Sequence, residues 1–569
     1  MTGKSMPIQN DEHRIVVSHV TSRRPSSAGE GPLIKPVHEA LEHGPHWDFT
    51  VFEMDLDGYV GQFNERIIGA YRGGRESSLP ADSGVARSLV PPGTGVFRDF
   101  SYVAPELPRF IADQCVACME CVKACPDTAI LGKVAEVETV DAAAEAIEEE
   151  AARSDFRTQW VVTTKFHGTF EKKGGKGGLF SIYVDPSKCK GCGECAEVCG
   201  KHAALVMEHK DDALVETFRR RSDWMKQLPQ TPHRFLARGL AIDTMLDEER
   251  GLLYAGGAGS CAGCGEATAI RMMLAITGVA HGRDAIGIVA ATGCNTVYGS
   301  TYPYNPYRVT WTNSLFENAP AVAMGIRHRW EQLGWSEKRL WVLGGDGAMY
   351  DIGLQSLSRM LASGMDIKVL VLDTQVYSNT GGQASTASFT GQAAKMSPHG
   401  RLVPGKIEKR KELANIALMH PDVYVAQTST AYTAHFYQAI QDANSYPGPA
   451  LVNVYTTCQP EHGVADDTAQ RQGRRAVIGR AFPLFVHDPR RGSRLRERMR
   501  LQGNPGMTED WAKNPEGEGQ FTFVDFARTE GRFARHFAPD GTPSEDILTS
   551  EQERLANWRL LQELAGIGR

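Results

Sequence analysis

The pattern of apolar and polar positions is most regular in the second half of the chain, where short apolar runs end at glycine or at a polar residue. LWVLGGDG, residues 340–347, has this form, and so does IKVLVLD, residues 367–373. Between them, MYDIGLQSLSRMLASG, residues 349–364, has helical spacing, and Gly364 fits the C-cap of that helix. Continuous apolar runs joined by a helix are typical of parallel strands buried on both faces. The pattern therefore predicts a βαβ unit of an α/β fold.

Two further apolar runs lead to cysteine. AIGIVAATG, residues 285–293, is followed by Cys294, and PALVNVYTTC, residues 449–458, ends on Cys458. The carboxyl ends of parallel strands meet at one edge of a sheet, where ligands bind. We therefore expect these cysteines to converge with Asp346, which ends the first strand of the βαβ unit.

Composition and charge narrow the class of protein. The 569 residues are 41% hydrophobic and 23% charged, with a net charge of −6 and a pI of about 6.3. This length predicts several domains, and the acidic balance argues against a nucleic-acid-binding protein. No window is apolar enough for a transmembrane helix, and the N-terminus MTGKSMPIQNDEHRIVV has no apolar core like that of a signal peptide. A cytoplasmic location is expected, where disulfides are rare, so the twelve cysteines need another explanation.

Eight of the twelve cysteines fall in two short runs with the same spacing. Both read C-x2-C-x2-C-x3-C, the spacing of bacterial two-cluster ferredoxins, in which the fourth cysteine serves the other cluster. The first run contains Cys115, Cys118, Cys121 and Cys125, and the second contains Cys189, Cys192, Cys195 and Cys199. We therefore expect one [4Fe–4S] cluster to be bound by Cys115, Cys118, Cys121 and Cys199, and a second by Cys189, Cys192, Cys195 and Cys125.

The spacing has a physical reason. Three thiolates two residues apart can surround one face of a cubane while the intervening amides point at its sulfurs, and the fourth cysteine is expected to start a helix that leads to the other cluster. A pair of zinc knuckles is the alternative, but zinc ligands usually come as two C-x2-C pairs separated by a longer loop. Gly200 follows the second run where the ferredoxin pattern normally has proline.

The remaining four cysteines match the number of thiolates that a third cubane needs. They are Cys261, Cys264, Cys294 and Cys458. Each alone is as well explained as an inert buried cysteine, and the Cys261–Cys264 pair also fits a thioredoxin-like dithiol at the start of a helix. The residues by themselves leave these alternatives open.

The two strand ends of the βαβ unit are rich in oxygen ligands. Gly345 and Gly347 flank Asp346, so the backbone can approach a phosphate while the carboxylate holds a hard cation such as Mg²⁺. Thr374 follows the second strand, 28 residues later. This pair of strand ends looks like a thiamine-diphosphate motif, which implies Asp346, the Thr374 side chain and the Val376 carbonyl as Mg²⁺ ligands.

Taken together, these motifs resemble pyruvate:ferredoxin oxidoreductase, within the 2-oxoacid:ferredoxin oxidoreductases. The resemblance runs from about residue 100 to the end and is carried by the three cysteine sets together with GDGAMYDIG, LDTQVYSNTGGQ, CAGCGE, ATGCNTVYG, TNSLFEN, AFPLFVHDPR and ANWRLLQELAG. It implies that Cys261, Cys264, Cys294 and Cys458 bind the cluster nearest to thiamine. It also implies that Asn379, in YSNTGG, lies beside the reactive carbon of the cofactor as a catalytic residue. The implied cofactor-binding residues are Glu266, Cys294, Gly345, Asp346, Gly347, Thr374, Val376 and Asn379.

The resemblance implies a fold and an activity. The fold is a doubly wound, mostly parallel α/β sheet that binds thiamine diphosphate, with an inserted or preceding two-cluster ferredoxin-like α+β domain. The activity is the conversion of pyruvate and coenzyme A to acetyl-CoA and CO2 with reduction of ferredoxin or flavodoxin, using thiamine diphosphate, Mg²⁺ and three [4Fe–4S] clusters. Alternatives are 2-oxoglutarate or another 2-oxoacid as the substrate, or an electron-transfer subunit with a vestigial thiamine site.

The resemblance also implies a partner. The family's complete enzyme has a domain that activates the thiamine aminopyrimidine and a domain that contributes to coenzyme A binding, and residues 1–100 resemble neither. We expect a second chain to carry both, in a dimer of heterodimers. The expected division of the chain is an N-terminal arm at 1–100, read as extended, a ferredoxin-like domain at 101–215, a thiamine-diphosphate-binding domain at 216–465 and a C-terminal extension at 466–569.

Overall fold

The computed structural model describes residues 14–21, 48–55, 60–79, 90–236, 243–398, 404–420 and 422–567, the first two ranges as backbone only. The predicted N-terminal arm is not simply extended. Strands Arg14–Thr21 and Asp48–Asp55 pair antiparallel over their full length, and Phe63–Ile68 and Gly69–Arg72 are helical. Both strand sequences are rich in β-branched and aromatic residues, which favour strands.

The largest element is an eight-stranded sheet, six of whose strands are parallel. Its order from one edge to the other is Met499–Arg500, Phe485–His487, Tyr424–Ser429, Ala450–Tyr455, Lys368–Asp373, Arg339–Gly345, Ile286–Ala291 and Thr310–Ser314. The first two strands run antiparallel to their neighbours, and the other six are parallel. The mostly parallel sheet predicted from the sequence is therefore confirmed.

Helices cover both faces of this sheet. Gly265–His281 and Thr433–Ser445 pack on one face, and Ala319–Gln332, Leu354–Leu361 and Leu413–Ala417 pack on the other. Successive residues of one strand point into the cores on opposite faces of the sheet. Leu370 and Val371 are an example, and both are fully buried. This is why the strands read as unbroken apolar runs.

The predicted βαβ unit is present, but its helix is interrupted. The two strands pair in parallel, and the chain between them forms a π-helical turn at Gly347–Ile352 and then the helix Leu354–Leu361. Gly353 lies between the two helical segments. A residue with a side chain would not fit there, because its Cβ would lie 2.5 Å from the Ala348 carbonyl oxygen. The helix ends three residues before Gly364, which has a φ of +74°.

A ferredoxin-like α+β domain precedes the large sheet. Glu106–Phe110 pairs with Leu205–His209, and Gly178–Val184 pairs with both Ile130–Glu136 and Val161–Val162, all antiparallel. The helix Asp212–Gln227 runs through the expected boundary at residue 215 and packs on Gly178–Val184. The other helices of this region are Glu120–Ala124, Val137–Glu145, Glu150–Thr158, Thr169–Glu171 and Glu194–Cys199.

The C-terminal extension packs against the large sheet and its helices. Trp558 and Leu561, on the helix Glu545–Leu564, are fully buried in the core of one sheet face. The remaining helices are Cys294–Gly299, Gln459–His462, Ala469–Ile478, Leu495–Arg498 and Phe523–Arg528, and Ala512–Lys513 pairs with Gln520–Phe521. Within the described ranges, no helix has the length and apolar character needed to cross a membrane.

Candidate cluster and cofactor sites

The eight cysteines of the two runs converge in two groups around two cavities of similar size. One cavity is lined by Cys115, Cys118, Cys121 and Cys199. The other is lined by Cys125, Cys189, Cys192 and Cys195. Each group thus contains three cysteines of one run and the fourth cysteine of the other, as the spacing predicts. Binding of an iron–sulfur cluster by each of these cysteines stays a prediction.

The backbone of the two loops has the same unusual shape. Ala117 and Met119 in the first run have φ values of +57° and +65°, and Gly191 and Gly193 occupy the equivalent positions of the second run with +72° and +81°. This left-handed conformation costs about 1–2 kcal/mol for a residue with a Cβ. The turns direct backbone amides at sulfur, as the Ala117 N–H donates to Cys115 Sγ at 3.5 Å. The loops are therefore shaped to surround a sulfur-bound group.

The fourth cysteine of each run lies at the end of a helix, not at its start. The helix Glu120–Ala124 is followed directly by Cys125, and the helix Glu194–Cys199 ends on Cys199. The expectation that this cysteine starts a helix was wrong, because the helix begins before the third cysteine and carries the chain to the other cavity. Gly200 has a φ of +52° and a ψ of −124°, a conformation that the ring of a proline cannot adopt.

Buried thiols in both cavities have raised pKa values. Burial raises the pKa of Cys121, and the nearby Cys115, Cys118 and Cys199 thiols raise it further. Burial likewise raises the pKa of Cys189 to about 12. Metal ligands must be thiolates, so a bound iron–sulfur cluster would supply the missing positive charge. Among the described side chains, no three of His, Cys, Asp or Glu are grouped as a single metal ion requires, and the thiolates of a cubane lie farther apart than those of a zinc ion.

The other four cysteines also lie near one another. Cys264 is the N-cap of Gly265–His281, Cys294 starts Cys294–Gly299, and Cys458 is the N-cap of Gln459–His462. After burial and Glu266, the nearby Cys261 and Cys458 thiols also raise the pKa of Cys264. The pKa of Cys294 is raised by burial first, and then by Glu266, Cys264 and Cys458. The dithiol alternative requires a strand before Cys261, but the chain from 255 to 260 is a loop.

A pocket of about 200 Å³ opens at the carboxyl edge of the parallel strands. Its lining includes every residue predicted to contact the cofactor, namely Glu266, Cys294, Gly345, Asp346, Gly347, Thr374, Val376 and Asn379. A Cβ at Gly347 would lie 2.7 Å from the Tyr377 ring, so only glycine fits that position. The predicted cofactor-binding residues thus line a single pocket, as binding of thiamine diphosphate would require.

The three predicted Mg²⁺ ligands meet at one point of the pocket. Thr374 Oγ1 lies 3.0 Å from both Asp346 Oδ1 and the Val376 carbonyl oxygen. Burial, and then the nearby Asp373 carboxylate, raise the pKa of Asp346 to about 7. A buried carboxylate of this kind is stable as an anion only beside a cation, which is what a bound Mg²⁺ would provide.

Two residues connect this pocket with the third cysteine set. Glu266 is buried and lines the pocket, and its Oε2 has no hydrogen-bond partner. Burial, followed by the proximity of Asp346, raises the pKa of Glu266 to about 8. Cys294 also lines the pocket, and a hydrogen bond with Asn379 offsets a small part of the rise in its pKa that burial causes. The third cysteine set therefore lies directly beside the cofactor pocket.

One buried ammonium group joins the second and third cysteine sets. Lys190, between Cys189 and Cys192, pairs with Asp127 at 2.6 Å. It also donates to the Ser260 carbonyl oxygen at 2.7 Å, directly before Cys261. Sequence reasoning missed this residue, since nothing local distinguishes it from other lysines in the chain.

Sequence reasoning also missed several hydroxyl and imidazole groups around the metal position. Ser385 donates to Asp346 Oδ2, and Ser378 donates to Thr374 Oγ1 at 2.8 Å. His462 Nε2 lies 2.8 Å from the Thr374 carbonyl oxygen. Only Ser378 has a sequence signal, because it lies in the YSNTGG motif.

Comparison with known proteins identifies two domains in this chain. Residues 114–203 match the family model of the 4Fe-4S dicluster domain, and residues 291–454 match that of the thiamine pyrophosphate enzyme C-terminal TPP-binding domain. The first match contains both cysteine runs. The second contains the strand ends that form the pocket.

Three oxidoreductases that act on pyruvate by name are similar to this chain over most of its length. The chain is 29% identical to the probable pyruvate-flavodoxin oxidoreductase of Escherichia coli over 78% of this chain and 41% of that protein. It is 27% identical to the pyruvate-flavodoxin oxidoreductase of Rhodospirillum rubrum, over 89% and 45%, and to the pyruvate:ferredoxin oxidoreductase of Moorella thermoacetica, over 75% and 40%. The chain thus spans less than half the length of these relatives. The chain is therefore similar to pyruvate-flavodoxin and pyruvate:ferredoxin oxidoreductases over most of its length, and it matches a 4Fe-4S dicluster domain followed by a thiamine pyrophosphate enzyme C-terminal domain.

Proposed function

We propose that this chain is the thiamine- and cluster-carrying part of a pyruvate:ferredoxin oxidoreductase, which forms acetyl-CoA, CO2 and reduced ferredoxin from pyruvate and coenzyme A. The observation that carries the proposal is the position of Cys294, which lines the cofactor pocket and also lies beside Cys264 and Cys458. Bound thiamine diphosphate would supply an electron sink for decarboxylation, and [4Fe–4S] clusters would supply one-electron carriers. A thiamine pocket directly beside a redox centre suits oxidative decarboxylation.

The chain's own residues would bind and orient the cofactor. Asp346 and Thr374, with the Val376 carbonyl, would hold Mg²⁺ and through it the diphosphate. Gly347 would let the backbone approach the phosphates, since it carries no side chain. Asn379, at the open side of the pocket beside Cys294, would face the reacting end of the cofactor.

The three cysteine sets would form an electron route out of the pocket. The third set, beside the pocket, would receive electrons first, and Lys190 connects its loop to the second set. Cys118 in the first set and Cys261 in the third set are both exposed. The first set would be the exit, because the apolar side chain of Val116 beside Cys118 is 49% exposed and offers a docking surface. A ferredoxin or flavodoxin would dock there.

A partner chain would complete the pocket. Ile352, which lines the pocket, is 51% exposed, and Leu315, directly before the lining residue Phe316, is 58% exposed. Exposed apolar groups around a pocket suit a protein interface. We propose that a second chain with the thiamine-activating and coenzyme A-binding domains covers them, in a cytoplasmic dimer of heterodimers.

We also propose a division of labour along the chain that follows the expected domains. Residues 101–215 would transfer electrons, residues 216–465 would bind the cofactor, and residues 466–569 would support that site. The role of residues 1–100 is left unassigned. The helix Asp212–Gln227 would belong with the first of these domains, on which it packs.

The proposal is tested by assaying the anaerobic protein with its partner chain against pyruvate, 2-oxoglutarate and other 2-oxoacids, with a dye and with ferredoxin as electron acceptors. Pyruvate is expected to give the fastest coenzyme A-dependent reduction. A preference for another 2-oxoacid would overturn the substrate assignment. Failure to bind thiamine diphosphate would favour a pure electron-transfer subunit.

A further inference from the structure

The segment that carries two of the proposed Mg²⁺ ligands contains a residue in an unusual backbone conformation. Gln375 lies between Thr374 and Val376 and has a φ of +57°, which residues other than glycine rarely adopt. Its side chain is fully buried. Such a conformation persists only where the surroundings impose it, and it is concentrated at functional sites.

This conformation has a direct consequence for the metal position. In an extended strand, neighbouring residues point to opposite sides. The left-handed turn at Gln375 instead brings the Thr374 hydroxyl within 3.0 Å of the Val376 carbonyl oxygen, and the same hydroxyl lies 3.0 Å from Asp346 Oδ1. The geometry of the proposed Mg²⁺ site therefore depends on the conformation of Gln375.

An arginine of the C-terminal extension holds the Gln375 side chain. Arg532 is 4% exposed, and its Nη2 donates to Gln375 Oε1 at 3.1 Å. Its Nε donates to Glu530 Oε2 at 2.6 Å, which fixes the guanidinium in the interior. The Gln375 amide nitrogen in turn donates to Asp373 Oδ1 at 3.0 Å. The side chain is thereby held at both ends of its amide.

The Gln375 carbonyl is held by a second set of donors from the same neighbourhood. Ser388 Oγ donates to it at 2.6 Å, and Gln392 Nε2 donates to it at 2.8 Å. Arg532 Nη1 lies 3.4 Å from Gln392 Oε1, so the same guanidinium contacts both glutamines. Both the side chain and the carbonyl of Gln375 therefore depend on Arg532.

The network also reaches the helix that follows Cys458. His462, fully buried on that helix, contacts the Thr374 carbonyl oxygen through Nε2. Because a carbonyl oxygen only accepts a hydrogen bond, this contact requires a proton on Nε2. Glu530 Oε1 lies 3.7 Å from the other ring nitrogen.

We propose that Arg532, with Glu530 behind it, is a positioning residue for the metal–diphosphate site, acting through the left-handed conformation of Gln375. The inference rests on the proposed function, since it assumes that Asp346, Thr374 and Val376 bind Mg²⁺ and thiamine diphosphate. It gives the C-terminal extension a role in cofactor binding rather than in packing alone.

The test measures the Mg²⁺ concentration for half-maximal binding of thiamine diphosphate to the anaerobically purified protein, together with iron content and thermal stability. Arg532→Met should raise that concentration about tenfold, because hydrogen bonds to two glutamines and a carboxylate are lost, and should leave the iron content unchanged. Arg532→Lys, which keeps the charge beside Glu530, should restore part of the affinity. Gln375→Met, which removes only the contacted amide, should act in the same direction as Arg532→Met.

Arg480→Met is the matched control. Arg480 is a fully buried arginine of the same extension, and it donates to the carbonyl oxygens of Pro505, Gly506 and Asp510. Its loss should lower thermal stability and leave the Mg²⁺ dependence within about twofold of the parent. The inference is overturned if Arg532→Met and Gln375→Met bind like the parent, or if Arg480→Met weakens Mg²⁺ binding as much as they do. If the parent itself does not bind the cofactor, the proposed function fails instead.

Discussion

Asp346 is a carboxylate buried where the sheet meets the pocket, and the groups around it do not balance its negative charge. It is 1% exposed and accepts hydrogen bonds from Thr374 and Ser385. Arg410, a nearby cation, is engaged by Asp373 rather than by Asp346. The remaining unbalanced negative charge makes a divalent cation the natural partner of Asp346.

Replacing this residue separates the metal site from the clusters. Asp346→Ala should abolish Mg²⁺-dependent binding of thiamine diphosphate and leave the iron content unchanged, because the sites share no proposed ligand. Calorimetric titration with the cofactor and iron analysis check this. Asp351→Asn is the control, since Asp351 contacts Tyr377 and Thr386 instead of lining the pocket. Parental cofactor affinity in Asp346→Ala would contradict the assigned metal ligand.

The raised pKa of Asp346 predicts a pH dependence of metal binding. In the metal-free protein its pKa is about 7, so a proton competes with the metal below this pH and not above it. Affinity should fall about tenfold per pH unit well below pH 7, and ionisation of the neighbouring Glu266, whose pKa is about 8, should add a further rise in affinity near pH 8. Mn²⁺ binding without thiamine diphosphate, whose phosphates also titrate, is the suitable measurement. Affinity that stays constant from pH 8.5 to 5.5 would show that Asp346 is not the titrating ligand.

At the scale of elements, the sequence predicts best what is encoded locally. The apolar runs predict Arg339–Gly345 and Lys368–Asp373 because strands buried on both faces need apolar residues throughout. The spacing of the cysteine runs predicts which thiols share a cavity. The interruption at Gly353 is not predictable in this way. It depends on the close packing of the Ala348 and Phe316 carbonyl oxygens, which leaves no room for a Cβ at that position.

Contacts between residues that are far apart in the sequence could not be predicted from local sequence patterns. Arg532 and Gln375 are 157 residues apart, and Lys190 lies 70 residues from Ser260. Nothing in the neighbouring residues marks either pair. The residues that line the candidate pocket were therefore predictable from the sequence, and the distant residues that hold them in place were not.

The lysine that joins two cysteine sets gives a prediction at this scale. Lys190→Met leaves Asp127 buried without its partner, which should lower the free energy of unfolding by about 3 kcal/mol. Loss of a positive charge should also lower the reduction potentials of the second and third clusters more than that of the first, because Lys190 contacts their loops. Redox titration followed by EPR measures each cluster.

Lys133→Met provides the comparison for this change. Lys133 is fully buried, pairs with Glu248 and donates to the carbonyl oxygens of Met225, Leu228 and Pro229. It contacts no cysteine loop through these bonds, so it should destabilise the protein without a selective shift of potential. Equal shifts of all three potentials in Lys190→Met would contradict the bridging role of this lysine.

At the scale of the whole molecule, the three cysteine sets form a series between the pocket and the surface. The third set lies beside the pocket, the second is joined to it through Lys190, and the first contains the exposed Cys118. Electron tunnelling falls steeply with distance, so such a series suits transfer from a buried reaction site to a docked carrier. The account depends most on the third set, because without it the pocket has no neighbouring electron acceptor.

The most direct test is iron analysis of the anaerobic parent protein and of Cys294→Ala, each with a measurement of thiamine diphosphate binding. Three cubanes predict about twelve iron atoms per chain in the parent. Removing Cys294 should leave about eight, since the two ferredoxin-like sets are untouched, and the cofactor should still bind through Asp346 and Thr374. Electron transfer to ferredoxin in the complex with the partner chain should collapse. Unchanged iron content and unchanged ferredoxin reduction in Cys294→Ala would contradict the third cluster and the electron route that begins there.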